Sequence, residues 1–225
     1  MENKSQDTNV QNVSKFFDGY AEDFSSIYIE DSKKRSFFNK IMDNWFRKDI
    51  QDRHDKTIGY TQSNKNINTV LDIGCGPGHQ VVRFLEQGKH VTALDVAPSM
   101  LEITKKRVEL MGVNDRFESV LADYSLHKFD KKFDAACVMG FFDYVEDPVS
   151  VLKKLLSEVN YEIYISIPGY KGFLAFQRKI RYALRNCPLY LYSLESLTKH
   201  LKDAGCYDQA EILTTERGYY VIIRK

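Results

Sequence analysis

Cysteine is scarce in this chain, and Cys75, Cys137, Cys187 and Cys206 form no Cys-x-x-Cys or His-Cys pair. Neither a zinc site nor a disulfide framework follows from that spacing, so no metal is expected and the four read as reduced thiols. Long apolar runs are missing too: the longest, Ala135 to Phe142, falls far below the ~20 residues of a membrane-spanning helix. The charged start Met1-Glu2-Asn3-Lys4 has no signal-peptide h-region, and the expected location is the cytoplasm. Charge of one sign is also lacking, since 32 Lys and Arg face 31 Asp and Glu for a net +1, which gives no global pull toward nucleic acid. Internal repeats are absent. What remains is 225 residues, 43% apolar and 28% charged, enough for one globular domain with a full core and an N-terminal extension.

The most informative stretch is Thr69-Val-Leu-Asp-Ile-Gly-Cys-Gly-Pro-Gly78. Val70, Leu71 and Ile73 make a buried strand, and Gly74, Gly76 and Gly78 let the backbone turn sharply and approach a ligand. Val81, Val82, Phe84 and Leu85 then sit on a short helix closing at Gly88, so the unit reads strand, glycine loop, helix. A dinucleotide does not suit it. His79 stands where G-x-G-x-x-G needs its third glycine, and Pro77 removes an N–H from a loop that would cradle a pyrophosphate. An adenosyl ligand without phosphates needs close backbone approach, an anchor for its amino and carboxylate groups, and an acid for its ribose. Asp72 and Asp95 stand where those roles would be filled. Asp95 ends a second apolar strand 23 residues after Asp72, near the roughly 20-residue interval at which a second-strand carboxylate meets a ribose diol.

From about residue 67 to the C-terminus this pattern resembles the class I S-adenosylmethionine-dependent methyltransferases. Later motifs follow in order: Leu121-Ala-Asp-Tyr124 after the third strand, a fourth strand Phe133 to Gly140, and a fifth at Tyr161 to Ile167. Pro98 opens a helix closing at Gly112, and Asp147-Pro148 gives an N-cap and an N1 proline to another. Strands alternate with helices, which implies parallel strands, right-handed crossovers and a crevice at the strands' C-terminal ends. Asp208 to Thr215 and Gly218 to Arg224, joined at Glu216-Arg217, suit the antiparallel hairpin that closes the sheet in this family. The fold expected is therefore α/β: a Rossmann-like, doubly wound, mostly parallel seven-stranded sheet with a C-terminal hairpin and a helical extension.

The resemblance also implies roles. Asp72 would hold the methionine amino group, and the loop of Gly74, Cys75, Gly76 and Gly78 would pass under the methionine moiety and ribose. Asp95 would take both ribose hydroxyls, and Val96 would lie beside the adenine. Asp123 would accept from the adenine amine, the Tyr124 backbone N–H would donate nearby, and Met139 would help floor the site below the reactive methyl. Catalytic candidates are Asp143 and Tyr144, which follow the fourth strand where relatives often carry histidine or an acid, and His79 at the loop's mouth.

Residues 1–66 read as a helical extension or lid and residues 67–225 as the cofactor-binding domain, with a substrate lid at 165–192. Val13, Phe16, Phe17, Tyr20 and Phe24 give one helical stripe, and Phe38, Ile41, Met42 and Trp45 another. Residues 61–66 read as a polar linker. The string from Phe16 to Phe24 resembles the lid opening of small-molecule methyltransferases, so Phe17 and Tyr20 would cover the methionine end. In the substrate lid, Tyr170 leads into Arg178, Arg181 and Arg185, which fall on one helical face, and no acid lies between Pro168 and Ser193. That face would receive a small anionic metabolite, though a charge run also reads as a solvated surface. The stretch also resembles magnesium-protoporphyrin O-methyltransferase relatives, without fixing a substrate. Two other classes stay open: an RNA or DNA methyltransferase, although Met139-Gly-Phe-Phe142 replaces the Asn/Asp-Pro-Pro-Tyr-type motif, and a non-catalytic binding protein on this scaffold.

Overall fold

The structure, a computed structural model, describes residues 2–18, 51–170, 187–215 and 218–225. In chain order these form α1 (Glu2–Asp18), α2 (residues 51–63), β1 (Thr69–Ile73), α3 (His79–Glu86), β2 (His90–Asp95) and α4 (Pro98–Met111). Then come β3 (Phe117–Leu121), β4 (Phe133–Met139), α5 (Pro148–Glu158), β5 (Val159–Pro168), α6 (Leu194–Asp203), β6 (Ala210–Thr215) and β7 (Gly218–Arg224). The seven strands lie in the order β3-β2-β1-β4-β5-β7-β6. β1 to β5 pair in parallel, and β7 runs antiparallel to both β5 and β6. Among the described residues, no helix is long and apolar enough to cross a membrane.

Alternation along the strands sends side chains to two faces, each with its own core. Leu71, Ile73, Ala136, Val138, Ile163, Ile165 and Val221 pack with Leu152 and Leu155 of α5 and Leu197 and Leu201 of α6. On the other face Val70, Val91, Ala93, Ala135, Tyr164 and Tyr220 pack with Val81, Phe84 and Leu85 of α3 and with Leu101 and Val108 of α4. Asp72, Asp95, Cys137 and Ser166 continue the alternation of this second face. The same face therefore carries polar groups where the strands end.

Helix limits follow local chemistry. Pro98 fills the first turn of α4, and Gly112 ends it at φ 68°, the left-handed region that glycine enters at least cost. The Asp147 carboxylate accepts from the Ser150 N–H at 3.1 Å and caps α5. Two expectations need correction. β5 begins at Val159, directly after α5, rather than at Tyr161, and residues 61–63 are helical rather than a linker. Thr61 is fully buried, and its Oγ donates to the Thr57 and Ile58 carbonyls and to Gln87 Oε1 at 3.0 Å. A threonine hydroxyl satisfied by the preceding turn can stay in a helix without any apolar stripe. The expected helix at Phe38–Trp45 and the turn at Glu216-Arg217 lie outside the described residues.

Candidate functional site

A cavity of about 530 Å³ opens at the C-terminal ends of β1, β2, β4 and β5. Its wall includes Asp72, Gly74, Cys75, Gly76, Asp95, Val96, Asp123 and Met139, with Phe17 of α1 on the far side. Asp143, Tyr144 and His79 line it as well. The fold thus brings together residues from distant parts of the chain that the sequence singled out.

Asp95 has a structural task beyond facing the cavity. Its Oδ2 accepts from the Gly76 N–H at 2.8 Å and its Oδ1 from the Ala97 N–H at 3.0 Å. One carboxylate thereby ties the glycine loop after β1 to the turn after β2. Burial raises its pKa, and those two amides with that of Val96 oppose the rise. Each oxygen keeps a lone pair for a ligand hydroxyl. Asp123 holds its own turn, accepting from the Ser125 N–H at 2.8 Å.

The three loop glycines differ in purpose. Gly74, Gly76 and Gly78 all have positive φ (66°, 53° and 77°), so each favours the absence of a Cβ. Only at Gly76 would a Cβ meet nothing within 4 Å, which leaves open space above the backbone. At Gly78 it would lie 2.6 Å from the Thr104 side chain. Gly78 is not among the residues lining the cavity; its lack of a side chain admits α4 against the start of α3.

Asp72 is 2% exposed, and its Oδ2 has no hydrogen-bond partner. Burial, chiefly, raises its pKa to about 7, with the charge of Asp95 adding and a hydrogen bond from the Cys137 thiol opposing. Cys137 is its register neighbour on β4. Gln80, on the first turn of α3, is 4% exposed, lines the same cavity and leaves Oε1 without a partner.

A methyltransferase-domain family model matches residues 70–160, which hold β1, the glycine loop, Asp95, Asp123 and β4. Those residues form a methyltransferase domain. A ubiquinone biosynthesis O-methyltransferase of Histophilus somni (strain 2336) is 23% identical over 199 residues, covering 81% of this chain and 84% of that protein. A probable (S)-tetrahydroprotoberberine N-methyltransferase 2 of Papaver bracteatum is 32% identical, over 40% of this chain and 26% of its own length. In fold, the methyltransferase is similar to the crystal structure of magnesium protoporphyrin IX methyltransferase from Synechocystis PCC 6803 with bound SAH. The TM-score is 0.72 at 17% identity, covering 96% of this chain and 98% of that one.

Other residues singled out in the sequence take different places in the methyltransferase. Tyr124 turns its fully buried side chain into the core, where its hydroxyl donates to Glu158 Oε2 at 2.8 Å and its ring meets Phe141 edge-on. Its side chain is not part of the cavity wall. Tyr170 is 49% exposed and also off the wall, its N–H donating to the Tyr192 carbonyl at 3.2 Å. Tyr20, Arg178, Arg181 and Arg185 lie outside the described residues. His79 is a poor proton acceptor. Burial, then Arg107 and His54, lower its pKa to about 3, and the Arg107 guanidinium lies 2.9 Å from Nδ1 and 3.0 Å from Nε2. Asp143 is buried at 2% exposure, not solvated, and its carbonyl accepts from the Tyr190 N–H at 2.7 Å.

The sequence reading missed Arg53, His54 and Gln80. All three line the cavity. Arg53 donates to the Ser166 hydroxyl at the end of β5, and His54, half-buried beside it, has its pKa lowered to about 4, first by desolvation and then by the Arg53 charge. Gln80 had one sequence signal, its place directly after His79 at the loop's mouth.

Proposed function

We propose that the enzyme transfers the methyl group of S-adenosylmethionine to an oxygen or nitrogen of a small metabolite that carries an anionic group. The observation that supports the cofactor's pose is the pair of buried, unpartnered acceptors, Asp72 Oδ2 and Gln80 Oε1, on the cavity wall. Such groups fit an ammonium. The open space above Gly76 suits close approach of the ligand. Asp95, its carboxylate fixed by two amides, would accept from the ribose hydroxyls, and Asp123 would face the adenine amine. Arg53 of α2, which donates to Ser166 at the end of β5, would meet the methionine carboxylate.

When bound, the cofactor supplies an electrophilic methyl group on a sulfonium. The residues of this chain then have to orient the two reactants in line, and orientation can lower a barrier by ~7–11 kcal/mol. Val13, Phe17, Tyr144, Ile167 and Pro168 give the outer cavity an apolar wall that would hold the body of the acceptor and exclude water. A base is needed only where the acceptor must lose a proton. Asp143 and Tyr144 are the candidates that remain, since a histidine held near pKa 3 binds a proton too weakly.

α1 would act as a lid. Ser14 Oγ donates to the Val96 carbonyl at 2.9 Å, and Asp18 Oδ1 accepts from the Ser99 N–H at 3.2 Å and hydroxyl at 2.6 Å. The Phe17 ring meets Tyr144 edge-on at 5.5 Å. The Ser14 and Asp18 contacts touch the turn after Asp95 and the start of α4, the two segments that would flank the adenosine. Hydrogen exchange of residues 9–18 should therefore slow when S-adenosylhomocysteine is added. Equal exchange with and without ligand would make α1 ordinary packing.

The acceptor is tested by incubating enzyme and cofactor with a metabolite extract and searching for cofactor-dependent gain of one methyl group. An anionic acceptor should be found, and changing Arg178, Arg181 and Arg185 together to Gln should raise its KM at least tenfold with little change in cofactor affinity. A neutral acceptor, or unchanged kinetics in the triple variant, would leave those arginines without a part in substrate binding.

A further inference from the structure

We infer that Gln80 is a positioning residue for the cofactor, sharing the methionine ammonium with Asp72. This rests on the cofactor reading above. Among the described residues, Asp72 Oδ2 and Gln80 Oε1 are the buried side-chain oxygens without a hydrogen-bond partner. A buried acceptor left unpaired is costly, and native proteins rarely keep one without a use. Here two of them line one cavity.

Their placement follows from the fold. Asp72 lies on the face of the sheet that α3 and α2 cover, because it continues the alternation of Val70, which shares one hydrophobic cluster with Val81 and Phe84 of α3 and Ile58 of α2. Gln80 lies in the first turn of α3, and its Nε2 donates to the His54 carbonyl of α2 at 3.4 Å. A carbonyl can only accept, so that contact assigns the amide nitrogen to His54 and leaves Oε1 for the cavity. A donor that satisfies both oxygens must carry at least two hydrogens. An alkylammonium carries three.

The choice of a neutral amide at position 80 also has a reason. The Asp72 carboxyl already stands near Asp95, and a second acid beside it would push it further toward its protonated form. Glutamine adds an acceptor without adding charge. One carboxylate and one amide then match a single positive charge.

The test is calorimetry with the full chain and two probes: S-adenosylhomocysteine, and 5′-methylthioadenosine, which keeps the adenosine and the sulfur but lacks the amino acid portion. Gln80→Met, similar in length and without polar atoms, should weaken S-adenosylhomocysteine about ten- to a hundredfold and leave methylthioadenosine within about twofold. In Gln80→Glu, S-adenosylhomocysteine binding should acquire a pH midpoint above that of the wild type, since two carboxylates would then share one site. Equal losses for both probes in Gln80→Met, or no loss for either, with an unmoved midpoint in Gln80→Glu, would overturn the role of Gln80. A wild-type protein that binds neither probe would instead bring down the cofactor reading itself.

Discussion

Asp72→Asn is expected to stabilise the empty enzyme above about pH 7 while weakening cofactor binding by roughly ten- to a hundredfold. Burial raises the folded-state pKa of Asp72 from the ordinary 3.8 to about 7. Between those values the folded protein holds a proton that the unfolded chain has released, so stability falls as pH rises through the window. The contribution is fully present below about pH 4 and lost above about pH 7, and the displacement corresponds to about 4 kcal/mol at most. Asparagine has no charge to bury. Urea unfolding of the empty proteins should therefore show the variant more stable at pH 8, with the difference shrinking toward pH 5. Cofactor affinity behaves in the opposite way, because an ammonium needs the ionised carboxylate. For the wild type Kd should rise toward tenfold per pH unit below pH 7, and the variant should lose most of that slope. Any remainder belongs to Asp95, whose pKa burial also raises. A variant less stable than the wild type at pH 8 would show that the strand-end carboxylate is satisfied without ligand.

The core of the fold could be read from the chain because its signals are local and additive. Strands buried on both faces appear as short apolar runs, and Pro98, Gly112 and Asp147 mark helix ends by their own backbone and side-chain chemistry. α2 could not be read in this way. Its buried positions include Thr57 and Thr61, held by Thr57 Oγ on Tyr220 Oη at 2.7 Å and Thr61 Oγ on Gln87 at 3.0 Å, and polar packing leaves no hydrophobic period. Missing α2 meant missing Arg53 and His54, which it carries to the cavity. Gly78 and Tyr124 show a second limit. From the sequence alone, nothing tells that Gly78 makes room for Thr104 or that the Tyr124 side chain bonds Glu158, which leaves only the Tyr124 backbone N–H for the role expected of it. Which side a residue faces depends on the element packed against it, and that partner is distant in sequence.

Asp95 offers the sharper test of how the site is built, because its carboxylate is asked to do two things. It accepts from the Gly76 and Ala97 amides, and it would also accept from the ribose. Asp95→Ala removes both functions. Two amides lose their acceptor in a buried place, at about 1–3 kcal/mol each where water cannot replace it, so the melting temperature should fall by several degrees. Affinity for S-adenosylhomocysteine should fall at least a hundredfold, as the ribose contacts and the shape of the loop go together. Asp95→Asn separates the carboxylate from a mere acceptor. Its amide carries one oxygen for two N–H donors, so its NH₂ must face either Gly76 or Ala97, donor against donor. Amides at Gly76 or Ala97 should then exchange faster in the empty variant, and binding should fall almost as far as in the alanine variant. If asparagine binds like the wild type and leaves both amides protected, neither the glycine loop nor the ribose requires an acid at the end of β2.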